Sequence, residues 1–317
     1  MSDNKVKVLY IAGFERSGST ILNRVLGQID GFVAWGELRD IWQHGMIENR
    51  SCTCGASFDE CPVWTKIVDT AFGEMDRTKI QEMVELLQKT RASVLPHYYS
   101  RFLRKPFTDY GTQEYLDNLE RLYQAIQSTT GSRTIVDSTK ASWYGYALRM
   151  LPSIDLYVVH IVRDPRGVGY SLQCRKNKGE LLSQWYNPVH ASLSWNFKNY
   201  AVETLLNRPA NRYLRIRYEE FIQNPKPVVE SILALLKEEV TQLPFKDDST
   251  VIMGTDHIFA GSPSSRSDTG LVKLNLDERW KKQMKSVDKA TIKSLTSPLL
   301  MRYGYLNRFQ TSAIEKL

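Results

Sequence analysis

The stretch YIAGFERSGSTIL, residues 10–22, sets the strongest limit on what this chain can become. An apolar run ends in a glycine turn, and a helix-forming segment follows at once. Gly13 and Gly18 enclose four residues, the spacing of the phosphate-binding turn G-x-x-x-x-G-K-[ST]. Ser19 stands where that pattern has lysine, Thr20 follows it, and Arg16 sits inside the turn. A turn of this kind aims the backbone N–H groups of Ser17, Gly18, Ser19 and Thr20 at an anion, and the helix dipole adds favourable partial charge. Three of those residues add hydroxyls, and Arg16 adds a planar cation with several donors. A plain strand-to-helix turn needs none of these, so the segment reads as a phosphate cradle at the end of a strand.

The rest of the chain supplies the sheet such a strand requires. Apolar runs predict strands at 6–12, 133–137, 155–162 and 212–217. The second and third are short and unbroken, as in buried parallel strands. Helical patterns occupy 19–29, 38–48, 76–92, 112–130, 141–151, 165–176, 189–207, 225–238 and 288–299. Asp164-Pro165 and Asn224-Pro225 place proline in the first turn of two of them. Strands alternating with helices give an α/β fold, a three-layer sandwich around a central parallel sheet. The 317 residues, 42% of them hydrophobic, suffice for one large core. No linker divides them, so the chain reads as a single domain, 1–317. Segment 45–130 has few strand signals and reads as a helical insertion over the carboxyl edge of the sheet, where ligands of such folds bind.

A second anion site follows the run LYVVHIV. Arg163 ends that strand, and Ser171 and Arg175 follow at offsets of 8 and 12. Ser171 and Arg175 are four apart and share a helical face, with Arg163 near its base. Alone, this spacing also fits a surface helix with scattered charge. Together with the first cradle it suits a nucleotide that carries phosphate at both the 5′ and 3′ positions.

The net charge of +7 favours anionic partners. No run of five basic residues exists, so nucleic acid is not the expected partner. The N-terminus lacks a signal-peptide core and no segment is apolar over a membrane-spanning length, so the expectation is a cytoplasmic protein without a membrane span. The four cysteines fit a reduced compartment. Three of them, Cys52, Cys54 and Cys61, cluster. A metal there would need a fourth ligand, for which His44 is the sequence candidate. The spacing is not a usual zinc pattern, and the expectation is a packed loop of free thiols with no metal. No G-x-S-x-G elbow supports hydrolase chemistry.

With both anion sites in hand, the chain resembles the sulfotransferases that use 3′-phosphoadenosine 5′-phosphosulfate (PAPS). FERSGST resembles their 5′-phosphosulfate loop, and VRDPRGVGYS their 3′-phosphate motif. The pattern is closest to the tyrosylprotein and glycan sulfotransferases, whose loop also has arginine where cytosolic members have lysine. The resemblance spans 6–40, 133–176 and 212–281. It implies a P-loop-like sulfotransferase fold, PAPS as co-substrate and no required metal. In GELR, 36–39, it implies Glu37 as catalytic base, 21 residues after Arg16. In RIRYEEFIQNP it points to Tyr218 near the adenine. The segment 257–280 resembles the late loop over the nucleotide, with Arg266 and Lys273 as its cations, although the Arg-Lys-Gly run of cytosolic members is missing. Lys140 either neutralises the bridging oxygen or is a surface lysine opening a helix. His257 is either a second base or a hydrogen-bonding loop residue. His44, His97, His160 and His190 are left to structure or to the acceptor pocket.

The expected activity is transfer of a sulfonyl group to a hydroxyl or amine of a small-molecule natural product, releasing adenosine 3′,5′-bisphosphate. A glycan or glycolipid acceptor is the nearest alternative. An ATP-dependent small-molecule kinase with a degenerate loop, using Asp137 as its acidic residue, is another. A non-catalytic nucleotide-binding protein is the last. Oligomeric state has no sequence signal.

Overall fold

The computed structural model describes residues 5–99, 110–177, 187–261 and 268–306. Five strands form one sheet: β1 (Val6–Gly13), β2 (Phe32–Ala34), β3 (Thr134–Lys140), β4 (Ile154–Val162) and β5 (Tyr213–Arg217). Their order is β2-β3-β1-β4-β5, and every neighbouring pair is parallel. The four strands read from the sequence are present to within a few residues. β2 was not anticipated, because three residues carry no periodicity.

Helices cover both faces, and strand alternation explains why. Val6, Val8, Tyr10 and Ala12 of β1 enter one core cluster; Leu9 and Ile11 enter the other. In β4, Leu156 and Val158 point to the first, and Tyr157, Val159 and Ile161 to the second. A central strand buried on both sides is apolar at almost every position, which is why it reads as an unbroken run. The second face packs α1 (Ser19–Gly27) and α9 (Pro225–Leu236). The first packs α5 (Ser142–Met150) and the insertion helices.

The segment 45–130 is mainly helical among the described residues. It holds α2 (Pro62–Phe72), α3 (Arg77–Tyr99) and α4 (Tyr110–Thr130). α2 went unread even though Pro62 marks its first turn. The predicted helix 38–48 is instead a 3-10 turn, Leu38–Asp40, running into a π-helix, Ile41–Ile47. α6 (Pro165–Asn177) and α7 (Pro188–Leu206) follow β4, and α8 (Tyr218–Gln223) follows β5. A two-stranded antiparallel ribbon, β6 (Thr250–Met253) with β7 (Gly270–Lys273), was also unanticipated. A short helix, Arg279–Gln283, and the C-terminal helix, Ser286–Arg302, complete the described chain.

β1 lies centrally, with β3 on one side and β4 on the other. The chain leaves β1 toward β2 and β3 and then crosses back to β4 and β5. The sheet order therefore reverses at β1, and the crevice at its carboxyl end is the ligand position of open α/β sheets.

Candidate active site

The turn after β1 is built from two residues with left-handed backbone. Gly18 caps α1 with φ of 85°, and Arg16 has φ of 66°. Glycine takes this conformation freely, but arginine does so at a cost of about 1–2 kcal/mol. Two contacts hold Arg16 there. Its Nε donates to Ser171 Oγ at 3.0 Å, and Arg163 Nη1 donates to the Arg16 carbonyl at 2.9 Å. A Cβ at Gly18 would overlap the Tyr218 ring, so the turn sits directly on that tyrosine.

Arg163 leaves the end of β4 with its guanidinium 4.5 Å from the centroid of the Tyr218 ring. Its Nη2 also reaches the Asp277 carbonyl at 3.3 Å and the Asp277 carboxylate at 3.6 Å. Hydrogen bonds from Arg279, and then the charge of Arg163, hold the Asp277 carboxyl below its usual range. The two anion sites read separately from the sequence are thus one hydrogen-bonded unit.

Strands β2 and β3 position the remaining chemistry. Tyr10 of β1 pairs with Asp137 but Ala12 pairs with Lys140, so β3 carries one extra residue. Such a bulge re-aims the side chain that follows it. Lys140 ends the strand with φ of 69°, and its Nζ lies 2.5 Å from Glu37 Oε1 and 3.1 Å from the Ser138 carbonyl. Glu37 stands at the start of the 3-10 turn. Buried Asn23 on α1 fixes that corner: it accepts from Gly36 N at 3.2 Å and donates to the Val136 carbonyl at 3.1 Å. Ser138 N donates to the Gly36 carbonyl at 2.7 Å, and Arg39 N to Thr139 Oγ1 at 3.2 Å. Asn23 was not picked out from the sequence, because a lone asparagine inside a helix pattern gives no signal of its partners.

These elements enclose a cleft of about 890 Å³. Among the described residues, nine lysine and arginine side chains and four carboxylates line it, an excess of positive charge that favours an anion. Of the residues singled out in the sequence, Arg16, Gly18, Ser19, Thr20, Glu37, Lys140, Arg163, Ser171, Arg175 and Tyr218 line it. Ser17 lies beneath, with its hydroxyl buried and unpaired. Arg39, Arg50, Arg91 and Arg279 also line the cleft and were not singled out. Trp143 of α5 and Phe197, Ala201 and Leu205 of α7 add an apolar wall.

Several expectations need correction. Lys273 is exposed on β7 opposite Thr250 and does not line the cleft. The cation delivered by this part of the chain is Arg279, six residues later. Arg266 lies outside the described residues. His257 does not line the cleft either. Its Nδ1 lies 3.3 Å from Cys61 Sγ and 3.8 Å from Cys52 Sγ, so it is not placed to act as a second base. Cys54 Sγ is 3.7 Å from Cys61 Sγ, and all four cysteines are free. The fourth member of the cysteine cluster is therefore His257 and not His44. His44 faces Asp40 at 3.6 Å and lines the cleft.

His160 is buried on β4. Its Nε2–H donates to Asn199 Oδ1 at 2.8 Å and its Nδ1 accepts from Tyr213 OH at 2.7 Å, a neutral core histidine. Burial pushes its pKa down to about 3. His190 is exposed near the start of α7, and the side chain of His97 lies outside the described ones. Asp137 is fully buried. One carboxylate oxygen accepts from Thr139 N at 2.8 Å and the other from Tyr123 OH at 2.5 Å. Burial raises its pKa to about 6 against the pull of these bonds. It is a structural acid behind the cleft, with both oxygens already engaged.

No helix among the described residues is long and apolar enough to cross a membrane. Two sulfotransferase domains share the architecture. One is from the Synechococcus PCC 7002 olefin synthase, at 16% identity and a TM-score of 0.50, covering 93% of this chain and 95% of that one. The other is from the curacin biosynthetic pathway, at 17% identity and a TM-score of 0.50, covering 93% and 97%. No curated protein matches by sequence. The model of the sulfotransferase family matches residues 9–242, nearly three quarters of the chain, and the chain belongs to that family.

Proposed function

We propose that the protein transfers a sulfonyl group from PAPS to a hydroxyl or amine of a small-molecule acceptor and releases adenosine 3′,5′-bisphosphate. The observation that carries this is the link between the two anion cradles: Arg16 binds Ser171, and Arg163 binds the backbone of Arg16. A donor with groups at both its 5′ and 3′ positions is the ligand that needs both at once. The residues fit it. Gly18, Ser19 and Thr20 line the cleft, and the N–H groups of this turn with the hydroxyls of Ser19 and Thr20 suit a 5′-phosphosulfate. Ser171, Arg175 and Arg163 take the 3′-phosphate. Tyr218, under Gly18 and beside Arg163, offers a face to the adenine.

The acceptor oxygen or nitrogen attacks sulfur, the new bond to sulfur forms, and the bond from sulfur to the bridging oxygen breaks. Glu37 takes the acceptor's proton. Lys140 and Arg16 stabilise the charge that develops on the leaving oxygen, an effect worth roughly 10²–10³ in rate for a preorganised donor. Glu37 Oε1 lies 2.5 Å from Lys140 Nζ, which supports a reading in which the two act at one reacting centre.

Asp137 argues against the kinase reading. A nucleotide-bound Mg²⁺ needs an accessible carboxylate at a strand end, whereas this one is sealed by Tyr123 and Thr139. For the acceptor, the wall from Trp143, Phe197 and Leu205 supports an apolar small molecule. The biosynthetic setting of the curacin domain favours a natural product over a glycan or glycolipid. The likeness to tyrosylprotein and glycan enzymes rests on motif spacing alone. Calorimetric titration with adenosine 3′,5′-bisphosphate, with and without Mg²⁺, tests the donor assignment. Metal-independent binding is expected. Binding of ATP only, and only with Mg²⁺, would turn the assignment to the kinase. Screening with PAPS labelled in its sulfur then identifies the acceptor, and absence of transfer to any acceptor would leave a binding protein.

A further inference from the structure

Outside the cleft, one group of side chains has a geometry that free thiols do not require. Cys52, Cys54, Cys61 and His257 each offer one ligand atom, and all four atoms lie within 4.8 Å of one another. The Cys54–Cys61 sulfur separation is 3.7 Å, and His257 Nδ1 is 3.3 Å from Cys61 and 3.8 Å from Cys52. A tetrahedral centre with bonds of about 2.3 Å to sulfur and about 2.0–2.1 Å to nitrogen has sulfur–sulfur edges of about 3.8 Å and sulfur–nitrogen edges of about 3.6 Å. The sulfur–sulfur edge of 3.7 Å is close to the first value, and the sulfur–nitrogen edges of 3.3 and 3.8 Å bracket the second. A disulfide needs its sulfurs at about 2.05 Å, so the pair is not bridged, and its spacing is compatible with a shared metal.

We propose that these four residues bind a structural Zn²⁺. Three thiolates and one imidazole in a tetrahedron suit zinc, a borderline-soft ion without redox chemistry. All four positions are filled by protein, so no site is left for a reacting water. The surroundings hold the ligands in place. Gly55, with φ of 98°, turns the chain between Cys54 and Cys61, and Cys52 N donates to the Ala56 carbonyl at 2.8 Å. The backbone on either side of His257 is tied to the cysteine loop. Thr53 Oγ1 donates to the Asp256 carbonyl at 2.7 Å, Ile258 N donates back to Thr53 Oγ1 at 2.9 Å, and Trp64 Nε1 donates to the His257 carbonyl at 2.8 Å. Phe58, Trp64 and Phe259 pack with ring centroids 5.0–5.1 Å apart beside the site.

The ion would fasten the cysteine loop of the insertion to 256–261. That segment reaches the cleft: Ala260 and Gly261 line it, and Gly36 packs against the Ala260 carbonyl so closely that a Cβ would collide with it. The metal therefore fixes a wall of the site without touching the reaction, and the proposal is independent of which donor or acceptor the cleft takes.

The test uses the full chain, purified without added chelator, with zinc measured by plasma mass spectrometry. About one zinc per chain is expected. Protein stripped of metal and titrated with Co²⁺ should show thiolate-to-cobalt charge transfer and the ligand-field bands of a tetrahedral site. Removing the ion should lower the melting temperature. Cys54→Ser, at the half-buried ligand, should weaken metal retention at least roughly tenfold. Should that variant fail to fold, the Co²⁺ spectrum of the wild-type protein still decides. Zinc below roughly a tenth per chain together with no tetrahedral Co²⁺ spectrum would overturn the proposal. So would a Cys54–Cys61 disulfide found by mass spectrometry under non-reducing native conditions.

Discussion

The phosphate cradle and the cysteine–histidine cluster solve the same problem, holding several polar groups at fixed distances, in opposite ways. The cradle takes most of its donors from consecutive residues, 16 to 20, and lets a strand, a turn and a helix set their directions. The cluster takes its members from segments 196 and 205 residues apart and relies on tertiary packing to bring them together. Local geometry can be written in a short motif; a long-range meeting cannot. Damage should differ accordingly. Changes at the cradle should alter binding and turnover in a folded protein, and changes at long-range contacts should appear first in stability.

The largest effect should come from Glu37→Gln. Turnover should fall by about 10²–10⁴, with adenosine 3′,5′-bisphosphate affinity and melting temperature little changed. Unaltered turnover would remove the carboxylate from the chemistry. Next, Arg175→Ala should weaken the bisphosphate by roughly 10–100-fold in calorimetry while sparing adenosine 5′-monophosphate. Equal losses for both nucleotides would place the 3′-phosphate elsewhere. Gly18→Ala tests where the two modes of construction meet, since the turn leans on Tyr218 from a distant helix. About 1–3 kcal/mol of stability should be lost along with nucleotide binding, read by denaturant titration.

The smallest effect isolates a long-range contact with no part in the cleft. The pKa of His160 is depressed to about 3 in the fold, against about 6.5 in the unfolded chain. The unfolded state therefore gains a proton first as pH falls. The stability that neutral His160 contributes is fully present above pH about 6.5 and is lost progressively toward pH about 3. His160→Gln should flatten this acid limb in melts between those limits and leave turnover near neutral pH in place. An unchanged limb would show that other groups set it, and Asp137 is not one of them. That acid shifts the opposite way, its raised pKa favouring the fold below about pH 4 and losing this contribution as pH rises through about 6.

What could be read from the sequence follows the same division. β1, β3 and β4 announced themselves because strands buried on both faces are apolar throughout. Arg16, Ser171 and Arg175 were legible because a turn and a helical repeat fix their relative positions. β2 was not, since Phe32–Ala34 is too short for a pattern and is a strand only because β3 lies beside it. The segment 38–48 has the residues of a helix, but its backbone divides into 3-10 and π turns where Gly36 and Arg39 are tied to β3. The sequence points to Lys273 and gives no sign of Arg279, because the course of the ribbon after β6 cannot be deduced from charge alone. The sequence leaves His257 as a second base or a hydrogen-bonding loop residue and gives no sign of its contact with the cysteines. Its distance from the cysteines in sequence hides what the fold brings together.

Arg163 carries one more implication. Its guanidinium supports the carbonyl of Arg16, stacks on Tyr218 and holds Asp277. For the donor proposed above, grip at one end could not then be retuned without disturbing the other. A redesign that seeks a shorter or differently phosphorylated donor must replace this keystone and its three dependants together, whereas the surfaces of α5 and α7 that face the opposite partner stay open to piecemeal change.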